Sequence, residues 1–222
     1  MPIQEYIQWA KNETATLSRS PDQTVEKWRQ KWVADFQPMV DKDAIFELAS
    51  LIVARWEFLG CLYKGYAHKT SNQDQAAAYA KAFLEPVNRA YGATHSKLLP
   101  QLPIARILFE MLRNKSLHGY TPSGVYDAVA GDAIVWRCVS KGDSASHLTF
   151  VRPPGWTVDN ALFVDGETFL GEFDKSLAAF VAHLQANAGG TAHQSFKQGF
   201  WWKLHPKDND SNKYTSWATD GP

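Results

Sequence analysis

Residues 113–120 run Arg113-Asn114-Lys115-Ser116-Leu117-His118-Gly119-Tyr120, and here an arginine and a histidine stand close enough along the chain to share a ligand. An imidazole with an unperturbed pKa of about 6.5 takes up and returns protons at neutral pH. A guanidinium stays charged, and its planar fork fits phosphate or carboxylate oxygens. Arg113 and His118 together could hold an anion and move a proton on it, with the Asn114 amide helping to orient it. On a regular helix, at about 100° per residue, two residues five apart diverge by about 140°. The pair therefore converges only where the helix is ending, and Gly119 directly after His118 permits that turn. A second reading fits the same residues: Arg113 as a surface cation favoured by the helix C-terminal dipole, and His118 as a cap on the last carbonyls. Arg89 and His95 come close to the same spacing, but Gly92 lies between them in a stretch that reads as loop.

The elements that must position these side chains follow from apolar periodicity. Ser20-Pro21-Asp22 is a helix-start signal, and Trp28, Trp32 and Phe36 then share one face of a helix over 21–37. A central core helix opens at Asp41 or Asp43 and carries Ile45, Leu48, Ile52, Trp56, Leu59 and Leu62 or Tyr63. Gln73–Tyr91 is alanine-rich, with Tyr79, Phe83 and Val87 at helical spacing, and Pro86 should kink or shorten it. Pro103 begins a fourth helix with Ile104, Ile107, Leu108, Met111 and Leu112 on one face, ending near His118-Gly119. From residue 121 the pattern changes. Ala133–Val139 and His147–Val151 flank a Gly142-Asp143 turn and are predicted to pair as a β-hairpin, and Ala161–Val164 forms a short strand. Phe169, Phe173, Leu177, Phe180 and Leu184 mark a further helix ended by Gly189-Gly190, and a last helix runs from Thr191 to about Leu204. The expected organisation is a helical bundle over 1–120, a β-hairpin with helices packed on it over 121–204, and a polar tail over 205–222. Tyr214 and Trp217 of that tail are candidates to dock on the body.

Composition narrows the function classes. Lysine plus arginine and aspartate plus glutamate both number 23, which excludes a broadly polybasic nucleic-acid-binding surface. The charge is nonetheless uneven. Residues 81–118 hold Lys81, Arg89, Lys97, Arg106, Arg113 and Lys115 against Glu85 and Glu110, a local positive patch that a solvated helix face explains about as well as a ligand does. Two cysteines, Cys61 in a helix and Cys138 in a strand, suggest neither a disulfide scaffold nor a zinc motif and suit a reducing compartment. No apolar run approaches the roughly 20 residues that cross a bilayer, and the first residues lack a basic and apolar leader, so a cytoplasmic protein is expected. The remaining histidines, His68, His95, His147, His183, His193 and His205, are scattered without metal-ligand spacing or a nearby carboxylate cluster, so neither metal nor cofactor is expected. Trp201-Trp202 reads as core or dimer contact.

The arginine, the polar residue after it and the histidine at the end of the fourth helix resemble the hallmark of the HEPN superfamily, small up-and-down four-helix bundles. The likeness covers roughly residues 20–120. It implies a mainly α fold there; the small α+β segment with the β-hairpin that follows is read from the strand pattern alone and lies outside the likeness. The likeness also implies metal-independent RNA cleavage, in which the ribose 2′-hydroxyl attacks the neighbouring phosphorus, of the toxin or phage-defence kind. His118 would transfer protons, Arg113 would hold the scissile phosphate, Asn114 would orient or contact it, and Lys115, Tyr120 and Arg106 would contact substrate. Since one motif supplies one histidine, the resemblance further implies a homodimer whose two motifs meet across a two-fold axis. An antitoxin or other regulatory protein is an implied partner. The competing expectation is a non-catalytic HEPN-like module that binds RNA, nucleotide or protein through residues 121–204.

Overall fold

The computed structural model describes residues 1–65, 72–94, 102–114, 125–127, 132–152, 154–157, 159–205 and 217, with the backbone alone at 113, 114, 125–127 and 132. The described chain is mainly helical with a small sheet. Helix α1 spans Ile3–Leu17, α2 Pro21–Asp41 and α3 Ile45–Lys64. Helix α4, Asn72–Tyr79, widens into a π-type turn over Ala80–Leu84, and a short 3₁₀ turn follows at Arg89–Gly92. Helix α5, Ile104–Leu108, widens in the same way over Phe109–Asn114. Strands β1 (Val125–Asp127), β2 (Asp132–Val139), β3 (Phe150–Val151) and β4 (Ala161–Asp165) precede α6 (Gly166–Ala186) and α7 (Thr191–Lys203).

Helix α3 is the hub. Ile45, Leu48, Ala49, Ile52, Val53, Trp56, Leu59 and Leu62 are at most 1% exposed, and α2, α4, α6, α7 and the Phe109–Asn114 turn all pack on it. A helix apolar on this many sides has to be central. Two glycines set how closely its neighbours approach. A Cβ at Gly60 would lie 1.8 Å from the Gln75 carbonyl oxygen, and one at Gly199 would lie 2.2 Å from that of Cys61, so α4 and α7 touch α3 backbone to backbone. The same apolar cluster continues into β4 and α6 through Leu162, Val164, Phe169, Phe173 and Phe180. Arg29 of α2 donates from Nε to Asp174 of α6 at 2.7 Å, a fork-shaped tie between those two helices completed by a second bond at 3.2 Å.

The sheet order is β1-β2-β4-β3, which corrects the expected hairpin. Strand β2 does not pair with the 147–151 segment. It pairs in parallel with β4, Val135 opposite Ala161 and Val139 opposite Asp165, while β3 lies antiparallel on the other side of β4. The antiparallel partner of β2 is β1, with Val125 opposite Ile134. The physical reason lies in β4, all five of whose residues are buried. A strand enclosed on both faces takes the centre of a sheet, and both flanking segments must then pair with it.

Other elements differ in extent. Residues 3–17 form a helix that periodicity did not mark, and α2 continues through Pro38 to Asp41. The Gln73–Tyr91 helix stops after Leu84, just before Pro86, and Tyr91 belongs to the separate 3₁₀ turn. Residue 217 does dock: Trp217 is 1% exposed and stacks on Trp201 at 4.2 Å, and each indole N–H donates to the other residue's carbonyl, at 2.8 and 3.2 Å. Tyr214 lies outside the described residues. Among those residues no helix is long and apolar enough to cross a membrane.

Candidate functional site

The helix that leads to Arg113 is almost wholly enclosed. Of residues 104–112, Ile104, Ala105, Ile107, Leu108, Phe109, Met111 and Leu112 are all buried. That face is wider than one α-helical stripe, and the looser π winding accompanies it. The two residues of this stretch that escape are Arg106 and Glu110, and they pair with each other, Arg106 Nε donating to Glu110 Oε1 at 3.1 Å. Gln73 of α4 bonds to both. Arg106, assigned to substrate on sequence grounds, is thus already engaged by a carboxylate and an amide. Arg113 and Asn114 are the last two residues of the described helix; their side chains, and all of Lys115, His118, Gly119 and Tyr120, lie outside the described residues.

Part of the positive patch does gather around a cleft. Lys81, Glu85, Pro86, Arg89, Gly92 and Ala93 line an open hollow of about 540 Å³ between the π-type turn of α4 and the 3₁₀ turn. The Glu85 carboxyl group lies against Gly92, where an added Cβ would meet its Cδ at 2.9 Å. A larger residue at 92 would displace that carboxylate. Arg89 is exposed, and His95, set beside it in the sequence analysis, lies outside the described residues.

The most connected polar cluster is one the sequence reading missed. His147, taken there to lack a carboxylate neighbour, has its Nε2 3.1 Å from Glu172 Oε2, and both residues are buried. The backbone N–H of Asp165 donates to His147 Nδ1 at 3.0 Å. Nδ1 therefore carries no proton, and Nε2–H is the donor to Glu172. The same Oε2 accepts from the Tyr91 hydroxyl at 2.7 Å, and Oε1 accepts from the Asn88 amide at 2.8 Å. Burial pushes the Glu172 carboxyl up, but the donors, led by His147, outweigh it and hold the group below its ordinary value. Burial beside that carboxylate drives Tyr91 the other way, well above the usual tyrosine range. Asp165 is the pivot between β4 and α6. Its side chain accepts from the Thr168 N–H at 2.8 Å as the N-cap of α6, and from the Asp143 N–H at 3.3 Å. Burial raises its carboxyl and these bonds more than offset the rise.

The network is buried except at the half-buried Asn88, and its bonds position the segments that meet there. It ties the turn before β3 and the first turns of α6 to Asn88 and Tyr91. From there the chain continues to Thr94, which bridges to Pro103, and to Ala93, whose carbonyl accepts the Ile104 N–H at 2.9 Å. The start of α5 is therefore set from Glu172. Its sequence signal was a glutamate and a serine, Glu172 and Ser176, interrupting the apolar face of α6; Ser176 in turn lies 3.0 Å from the Tyr79 hydroxyl.

The remaining described histidines have local roles. His193 Nε2 donates to the Leu184 carbonyl at 3.1 Å, and Nδ1 accepts from Gly189 N–H at 3.2 Å, which closes the end of α6. His183 packs among Tyr63, Phe83 and Phe180, and His205 against Trp202 and Trp217. Among the described residues no three His, Cys, Asp or Glu side chains gather as metal ligands. No protein-family model, curated protein or solved structure matches the chain.

Proposed function

We propose that the chain is a metal-independent endoribonuclease of the HEPN kind that acts as a homodimer. His118 takes the proton of a ribose 2′-hydroxyl, whose oxygen attacks the adjacent phosphorus. The bond to the 5′-oxygen breaks, leaving a cyclic phosphate on one product and a hydroxyl on the other. Arg113 holds the phosphate oxygens on which charge develops, and Asn114 orients them. The leaving oxygen needs a proton, and the histidine of the second copy supplies it. The reading is supported by the enclosure of the 104–112 helix, with Arg113 and Asn114 at its described C-terminal end. A helix gripped by the core on nearly every side is a firm base from which to present phosphate-binding groups. The cleft carrying Lys81 and Arg89 would add to the attraction for a polyanion.

The test is to incubate purified protein with mixed RNA in the presence of a chelator, beside Arg113→Ala and His118→Ala. Cleavage by the parent chain, lost by about 10²-fold or more in both variants, is the expected result. If none of the three cuts, or all cut equally, the nuclease reading is wrong. The balance of 23 basic and 23 acidic residues favours a second reading, a non-catalytic RNA- or nucleotide-binding module. That reading predicts association that survives His118→Ala and weakens with Arg113→Ala and with rising salt.

A further inference from the structure

The face of the sheet turned away from the helices carries a hollow that the ribonuclease reading does not use. Along β4, Leu162 and Val164 point into the core at 0% exposure, so Phe163 between them lies on the opposite face, itself buried at 7%. Val139 and Arg137 of β2 and Val151 of β3 join Phe163 around a cleft of about 250 Å³, and Asp143, Ser146 and Arg152 complete its lining. The floor is apolar and the rim polar. Arg152 is held by Asp159, Nε to Oδ1 at 3.1 Å, whereas Arg137 is exposed and has no carboxylate partner among the described residues. The acid in the hollow, Asp143, turns its Oδ1 onto the Ser146 N–H at 3.1 Å, capping the 3₁₀ turn over Ser144–Ser146.

The turn above the hollow is held in an unusual backbone. Leu148 has φ of +57°, a left-handed conformation that a branched side chain adopts only when its surroundings enforce it. Its N–H donates to the Phe163 carbonyl at 2.9 Å, and the Phe163 N–H returns a bond to Thr149 at 2.9 Å. This twist buries His147 and Leu148, two successive residues, on the same side at 4% and 2% exposure. Asp143 and Ser146 are left at the outer rim.

We propose that this hollow is a binding site for a phosphorylated nucleoside, taken either free or as one residue of an RNA strand. An inorganic anion would need Arg137 but not the valine and phenylalanine floor, and a neutral apolar ligand would need the floor but not Arg137. A flat ring bearing a phosphate uses both, and the volume admits a single such unit. The site stands whether or not RNA is cut.

The experiment measures binding of each ribonucleoside 5′-monophosphate and of a short single-stranded RNA by the full chain. Arg137→Glu is compared with Arg19→Glu, a charge-matched exposed position on another face. Arg137→Glu weakening mononucleotide binding at least 10-fold while Arg19→Glu changes it less than 2-fold supports the site with a free nucleotide as ligand. If mononucleotides do not bind but Arg137→Glu selectively weakens RNA by the same factor, the site holds with the strand as its source. Equal effects of the two variants, no effect of Arg137→Glu, or no binding of either probe overturns the proposal. Unchanged thermal unfolding of both variants secures the comparison.

Discussion

Replacing Glu172 by glutamine tests the buried network most sharply, because one atom changes and three donors respond. Oε2 accepts from His147 and Tyr91, and Oε1 accepts from Asn88. A glutamine that keeps its oxygen toward His147 and Tyr91 turns its NH₂ to the Asn88 amide, donor against donor. Asn88 cannot flip freely, since its Oδ1 accepts the Ala90 N–H at 2.9 Å. One bond to a charged acceptor is then lost, at about 2 kcal/mol. For a chain of this size the midpoint of thermal unfolding should fall by about 4–8 °C. Glu172→Ala abandons all three donors and should cost about 4 kcal/mol or more, a large share of the roughly 5–15 kcal/mol that holds a domain together.

The pH dependence supplies the signature. The Glu172 carboxyl sits below its ordinary value of 4.5 in the folded chain. Its contribution is therefore complete above about that value and is lost as pH falls from there through the lower folded value. Circular dichroism melts of the parent and Glu172→Gln should differ by a constant gap from pH 7 to 5.5, and the gap should narrow below about 4.5. A gap under about 0.5 kcal/mol at pH 7, or one that stays the same down to pH 3, would refute the network as a source of stability.

Helix contacts and thiols offer two further checks. Gly60→Ala and Gly199→Ala each drive a methyl into a carbonyl oxygen of the neighbouring helix and should cost about 3 kcal/mol or more in urea unfolding. Gly171→Ala in α6, where nothing lies within 4 Å, should instead add about 0.5–1 kcal/mol; similar values for all three would contradict the close approach. Burial pushes the Cys61 and Cys138 thiols each up to about 11, so iodoacetamide at pH 7.5 should label neither in the folded chain at the rate seen in denaturant. Native Cys138 reacting as fast as unfolded protein would show that its strand opens.

What could be read from the chain alone follows interaction range. Helices α2, α3, α6 and α7 were legible because each carries its apolar stripe within its own segment. Helix α1 was not, since its burial consists of Ala10 and Thr14 and depends on Trp201 and Trp217, nearly 200 residues away. Strands β2, β3 and β4 were visible and β1 was not, and none of the pairings was: alternation says which residues face inward and nothing about which neighbour supplies the hydrogen bonds. The continuous apolar run Ala161-Leu162-Phe163-Val164 was the available sign of a central strand. In the candidate site, the helix leading to Arg113 was predicted by its spacing, and the Arg106–Glu110 pair lies within one helical turn, while the Glu172 network joined residues 25 to 84 positions apart and left almost no local trace.

The Trp201–Trp217 stack has a bearing on how the molecule could be re-engineered. Tyr6 lies 6.1 Å from the Trp217 ring and donates its hydroxyl to the Leu204 carbonyl at 2.7 Å, so segments 198 positions apart are buttoned together at one spot. A chain cut at an exposed turn between them, such as the one at Gly189, should therefore leave the two pieces clasped.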